Sequence, residues 1–133
     1  MSTEFLMDEY CFACGPRNEN GLKLRIIEAD DGVRARIEPP AWSQGYPNVV
    51  HGGIIATILD ELAVWAAFKK GYRSVTAEFS MRIKGSMNTE KIYTALARVC
   101  NIKHRLIEAE SEILDNKNAR VALAHVKLLR TES

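Results

Sequence analysis

The run HGGIIATILDELAVWAAF, residues 51–68, decides the fold. From Ile54 to Phe68 it reads as an almost unbroken apolar helix, and two adjacent carboxylates, Asp60 and Glu61, sit in its middle. A helix that is apolar around most of its circumference is buried, and a buried carboxylate costs several kcal/mol unless it is paired or hydrogen-bonded. Gly52 and Gly53 at the helix start leave backbone N–H groups approachable where the helix dipole favours negative charge. A carboxylate and an anion-holding helix start on one element suit hydrolysis through an oxyanionic intermediate, with the carboxylate activating water or attacking directly. The plainer reading of the same residues is a helix-entry turn, an incidental His51 and two acids on one wet stripe.

Outward from this helix the pattern changes to period two, the signature of half-buried strands. Leu22, Leu24 and Ile26 alternate with Lys23 and Arg25, and Val33, Ala35 and Ile37 alternate with Arg34, Arg36 and Glu38. Asp30-Asp31-Gly32 between them predicts a hairpin. Pro39 to Val50 is a loop feeding the helix, which Lys69, Lys70 and Gly71 end by complementing the dipole and supplying a left-handed cap. Val75 to Ile83 alternates strictly, Ile92 to Ile102 is a further apolar-rich segment, and Leu106 to Leu114 sets Ile107, Ala109, Ser111 and Ile113 against Glu108, Glu110 and Glu112. A turn at residues 115–118 then leads to a last strand, Ala119 to Leu129. Two strands, one helix and four strands predict an α+β domain in which a twisted antiparallel sheet curls around a single helix. Helix surface that one sheet leaves uncovered predicts oligomers.

At 133 residues the chain is expected to be one domain, spanning 1–133, with a real core and no need of disulfides. Eighteen basic residues against 17 acidic give no global field to recruit nucleic acid or an anionic membrane. Met1 to Tyr10 has no charged leader or apolar signal core, and no stretch reaches membrane-spanning length, so a soluble cytoplasmic protein is expected. Three cysteines, Cys11, Cys14 and Cys100, argue against a disulfide framework. Cys11 and Cys14 have the spacing of half a zinc site or a redox pair, but no second CxxC follows; a structural turn leading to Gly15-Pro16 is the expected role.

Three stretches, CFACGP (11–16), GLKL (21–24) and QGYPNVVHGGIIATILDE (44–61), resemble the hotdog-fold acyl-CoA thioesterases, in particular the subgroup of the phenylacetate-pathway and 4-hydroxybenzoyl-CoA thioesterases. The resemblance runs from Cys11 to Leu129. It implies a hotdog fold and hydrolysis of an acyl- or aryl-CoA with no metal and no cofactor. The position nine residues after the motif histidine carries the catalytic carboxylate, here Asp60, as general base or nucleophile. Gly52 supplies the oxyanion N–H, and His51 positions the thioester carbonyl. Thr76, sixteen residues after Asp60, holds the carboxylate or its water, although strand parity places it on the polar face. The family's Asn or Gln six residues before the histidine is Gly45 here; the nearest amides are Gln44, which a one-residue bulge would bring into the role, and Asn48. Asn48, Gly53 and Glu61 are assigned to the substrate's surroundings, with Glu61 a bystander to the chemistry. The resemblance further implies a homodimer or homotetramer whose sites take Gly52 and His51 from one subunit and Asp60 and Thr76 from its partner.

A non-catalytic acyl-CoA binding module of the same fold is the alternative, and the carboxylate at position 60 favours the enzyme. A hydratase is disfavoured because the helix lacks the Asp and His arrangement of those enzymes, and a zinc-linked interaction protein built on Cys11 and Cys14 is the third reading. His104 and His125 read as ordinary strand or turn residues. Trp42, Tyr46, Trp65, Phe68 and Phe79 read as core or interface. Arg82, Lys84, Arg98, Lys103 and Arg105 are candidates for coenzyme A phosphates, though long basic side chains on strand ends are usually solvated.

Overall fold

The computed structural model describes residues 9–131, so most of the stretch Met1 to Tyr10, read above for a leader, lies outside the described residues. Its elements are β1 (Ile26–Ala29), β2 (Gly32–Ile37), α1 (Gly52–Lys69), β3 (Ser74–Ile83), β4 (Tyr93–Lys103), β5 (Leu106–Leu114) and β6 (Arg120–Arg130), with one turn of 3-10 helix at Ala41–Ser43. All strands join one antiparallel sheet in the order β1-β2-β4-β5-β6-β3. The sheet wraps α1, which touches all six strands.

Alternation in the strands has the anticipated consequence. Ile107, Ala109, Ser111 and Ile113 of β5 are buried, and they continue sideways into Ala95 and Ala97 of β4 and Ala122, Ala124, Val126 and Leu128 of β6. Small residues in this layer let the helix approach, and Ile58, Leu59 and Leu62 fill the space with essentially no exposure. None of residues 54–69 is exposed. Removing one of these leucines would cost about 2–5 kcal/mol.

The first strand begins four residues later than its alternation predicts. Leu22 and Leu24 donate their N–H groups to the carbonyls of Phe12 and Ala13, both at 2.8 Å, and Lys23 between them takes a left-handed φ of 53°. Their backbone is committed to the cysteine loop, so the sheet starts at Ile26. At the far end of α1, Gly71 adopts φ 98°, and Lys69 does more than complement the dipole: its Nζ donates to the carbonyls of Ala29 and Gly32, closing the β1-β2 turn. β3 forms one edge of the sheet, and among the described residues its ten residues pair only with β6. A long unpaired edge is a template for another strand.

Candidate active site

The helix start is built around His51. Its φ of −61° and ψ of 137° make it the N-cap, its carbonyl accepts from the N–H groups of Ile54 and Ile55, and its Nδ1 accepts from Gly53 N–H at 2.9 Å. With Nδ1 an acceptor, the neutral ring carries its proton on Nε2, which is left as a donor. The N–H of Gly53 is thereby occupied. Gly52 N–H has no partner among the described residues and lies at the positive end of the helix dipole.

Two loops brace this terminus. His51 N–H donates to Ser43, Val50 N–H to Met87 and Thr89 N–H to Asn48. Gln44 and Asn48 meet within one of them: the Gln44 side-chain carbonyl accepts from Asn48 N–H at 2.9 Å, and Asn48 takes a φ of 65°. At Gly45, the position to which the resemblance assigns an amide, an added Cβ would lie 3.4 Å from His51 Cα and Cδ2, the near limit of ordinary contact. A cleft of about 330 Å³ opens beside Gly52, lined among others by Ile55, Ile83, Lys84 and Met87.

Asp60 sits two turns further along α1. Thr76 Oγ1 donates to its Oδ1 at 2.5 Å. Strict alternation would have pointed Thr76 away, and a β-bulge resolves the conflict. Thr76 pairs with Leu128 and Glu78 with Lys127, leaving Ala77 as the extra residue. The bulge inverts the alternation, so before it Ser74 is buried and the exposed Thr76 reaches Asp60 on the helix, and after it Phe79 and Met81 pack on the core. Nothing in the residue pattern marks Ala77 as a bulge.

Glu61 is about 100° further round the helix and looks elsewhere. Its Oε2 accepts from Trp65 Nε1 at 3.1 Å and lies 3.8 Å from Cys11 Sγ. Burial, followed by the neighbouring Glu61, pushes the Cys14 thiol well above the ordinary range. This contact between the cysteine loop and the helix was not visible in the sequence, where Cys11 and Glu61 lie 50 residues apart.

The remaining candidates are dispersed. His125 faces Glu108 at 3.1 Å, Arg98 pairs with Glu110, and His104 occupies the β4-β5 turn with φ 58°. Cys100 is exposed and donates to the Glu108 carbonyl. Trp65, Phe68 and Phe79 pack against the core, whereas Trp42 and Tyr46 are exposed, Tyr46 at 82%. Among the described residues no helix is long and apolar enough to cross a membrane.

Gly52 and Asp60 are eight residues apart, or about 12 Å along the helix axis. Within one chain the free N–H and the held carboxylate therefore cannot engage the same carbonyl.

Residues 47–122 match the family model described as the thioesterase superfamily. Comparison with curated proteins gives no match. Among solved structures, a thioesterase superfamily protein superposes with a TM-score of 0.86 at 22% identity, over 92% of this chain and 61% of its own; the present chain thus spans about three fifths of that protein. A Streptococcus mutans UA159 protein bound to acetyl CoA gives a TM-score of 0.77 at 19% identity, covering 83% of this chain and 90% of its own. The E. coli PaaI protein of the phenylacetic acid degradation operon gives 0.76 at 22% identity, covering 82% and 84%. At these identities the likeness establishes the fold, which is the hotdog arrangement of a curved sheet around one long helix.

Proposed function

Because the chain belongs to the thioesterase superfamily, we propose that it is a cytoplasmic acyl-CoA thioesterase, cleaving an acyl- or aryl-CoA to free acid and CoA in a homodimer or homotetramer with shared sites. The observation that carries this reading is the Asp60 carboxylate held by Thr76, on the same helix whose start offers, beside a cleft, an N–H with no partner among the described residues. A fixed carboxylate beside such a site favours an enzyme over a carrier of acyl-CoA.

The chemistry follows from those groups. The thioester carbonyl enters the cleft with its oxygen on Gly52 N–H, and His51 Nε2 donates from the side. Asp60, one oxygen fixed by Thr76, takes a proton from water or attacks the carbonyl carbon itself. Negative charge then develops on the carbonyl oxygen, where the helix start stabilises it; collapse expels the CoA thiolate. In the hydrolytic variant water becomes the acid's new oxygen in one step, and in the covalent variant an anhydride with Asp60 is hydrolysed in a second. Lys84 at the cleft is suited to a CoA phosphate, and coenzyme A or acetyl CoA is bound in two structures of this fold.

Subunit sharing reconciles the separation of about 12 Å. Antiparallel pairing of two β3 edges about an axis between Phe79 and Ser80 would set Thr76 opposite the partner subunit's Ile83. Thr76 touches Asp60, and Ile83 lies beside Gly52, its Cδ1 only 3.9 Å from where a Cβ there would be. Each Asp60 would then approach the other subunit's helix start, making two equivalent sites.

The test is release of free thiol from a panel of short, medium, long and aryl acyl-CoAs. At least one should turn over, and Asp60→Asn should lower kcat by about two to four orders of magnitude while acyl-CoA still binds. Binding across the panel without turnover in the unaltered protein would make it a carrier and sink this reading.

A further inference from the structure

We propose that Cys11, Cys14 and Glu61 form a zinc site that clips the loop before β1 to helix α1. One ligand atom from each, two sulfurs and a carboxylate oxygen, can be chosen so that all lie within 4.8 Å of one another. Zinc bonds of about 2.3 Å to sulfur and 2.1 Å to oxygen at tetrahedral angles require an S···O edge of about 3.6 Å. The Cys11 Sγ to Glu61 Oε2 distance is 3.8 Å, so the ion fits with almost no movement of that edge. Two thiolates select a sulfur-accepting metal over magnesium or calcium. All three residues are half-buried, leaving solvent access for water as the fourth ligand.

The surroundings are built to hold these atoms in place. Gly15 N–H closes the CxxC turn on the Cys11 carbonyl at 2.8 Å, and a Cβ on Gly15 would fall 2.3 Å from Cys11 N. One on Gly21 would fall 2.5 Å from the Phe12 carbonyl oxygen. The motif glycines are thus required for the backbone to fold tightly enough to present both sulfurs. Trp65 Nε1–H donates to the same Glu61 oxygen, the kind of outer hydrogen bond that orients a carboxylate ligand. Without an ion, that half-buried carboxylate faces two thiols, which are only weak donors. On binding, each thiol releases its proton to solvent and the cation meets three anionic ligands.

The site is independent of the hydrolytic reading, because none of its ligands touches the Gly52 cleft or the Thr76 to Asp60 bond. The experiment uses the full chain, purified under reducing conditions, stripped with a chelator and titrated with zinc and, separately, cobalt(II). The expected result is one ion per chain, thiolate-to-cobalt charge-transfer absorption with the visible bands of a tetrahedral ion, and a melting temperature that rises with zinc. Cys11→Ser, Cys14→Ser and Glu61→Gln should each weaken zinc at least tenfold, while Cys100→Ser should not. Absence of charge-transfer bands in the unaltered protein overturns the site whether or not the cysteine variants fold. Undiminished zinc affinity in Glu61→Gln overturns the three-ligand set, and zinc loss in Cys100→Ser overturns its location.

Discussion

Replacing Gly52 with proline removes one atom of interest, the amide hydrogen, from a position that otherwise accepts the change. Position 52 is the first residue of α1, where proline is favoured because its N–H makes no intrahelical bond. The preceding residue must be extended, and His51 already is, at ψ 137°. The nearest atom to an added Cβ is Ile83 Cδ1 at 3.9 Å, so the Cβ has space. Stability should hold or rise by about 0.4–1 kcal/mol through the stiffer unfolded chain. Activity should not hold: loss of one oxyanion donor costs about 2.7–4 kcal/mol of transition-state stabilisation, or about 10²–10³ in kcat. Gly52→Ala, which keeps the N–H, is the control and should stay within a few-fold of the unaltered enzyme. The assay is thiol release beside a thermal melt. A folded Gly52→Pro enzyme with unchanged kcat would refute the assignment of Gly52 N–H as the oxyanion donor.

Thr76→Val keeps the shape and β-branching but deletes the hydroxyl bonded to Asp60. A hydrogen bond to a charged group contributes about 1.5–3 kcal/mol, so steady-state kinetics should record kcat about 10–100-fold lower and Thr76→Ser near normal. His51 combines a cap with a substrate contact, and the two separate by substitution: His51→Ala should cost about 1 kcal/mol in a melt, while His51→Ser should recover most of it as a good cap, yet both should lose turnover. Gly45→Asn should fold with an unchanged melting temperature, since its Cβ meets only ordinary contacts with His51.

Periodicity made the layout legible because β2, β5 and β6 each have one buried and one wetter face and the helix is wet almost nowhere. Ile107, Ala109, Ser111 and Ile113 alternate with three glutamates and are buried in that order. Alternation failed where the backbone was engaged by something distant. Leu22 and Leu24 have strand spacing but bond to the cysteine loop, and Thr76 has the wrong parity until the Ala77 bulge corrects it. At the site, the glycine pair and the mid-helix acids were readable as chemistry, and resemblance attached roles to them. That His51 caps its own helix through Nδ1 depends on a rotamer, and that Glu61 faces Cys11 depends on helix rotation against a loop. Neither leaves a mark in the order of residues.

Sharing of the site between subunits is the claim on which the mechanism depends, and subunit complementation tests it. D60N and G52P chains, each nearly inactive alone, are unfolded and refolded together in equal amounts. Random pairing makes half the dimers mixed, and each mixed dimer has one site with both defects and one with neither, so about one quarter of the unaltered activity should return. Activity no higher than that of the separate variants, with mixed dimers shown to be present, would contradict a shared site.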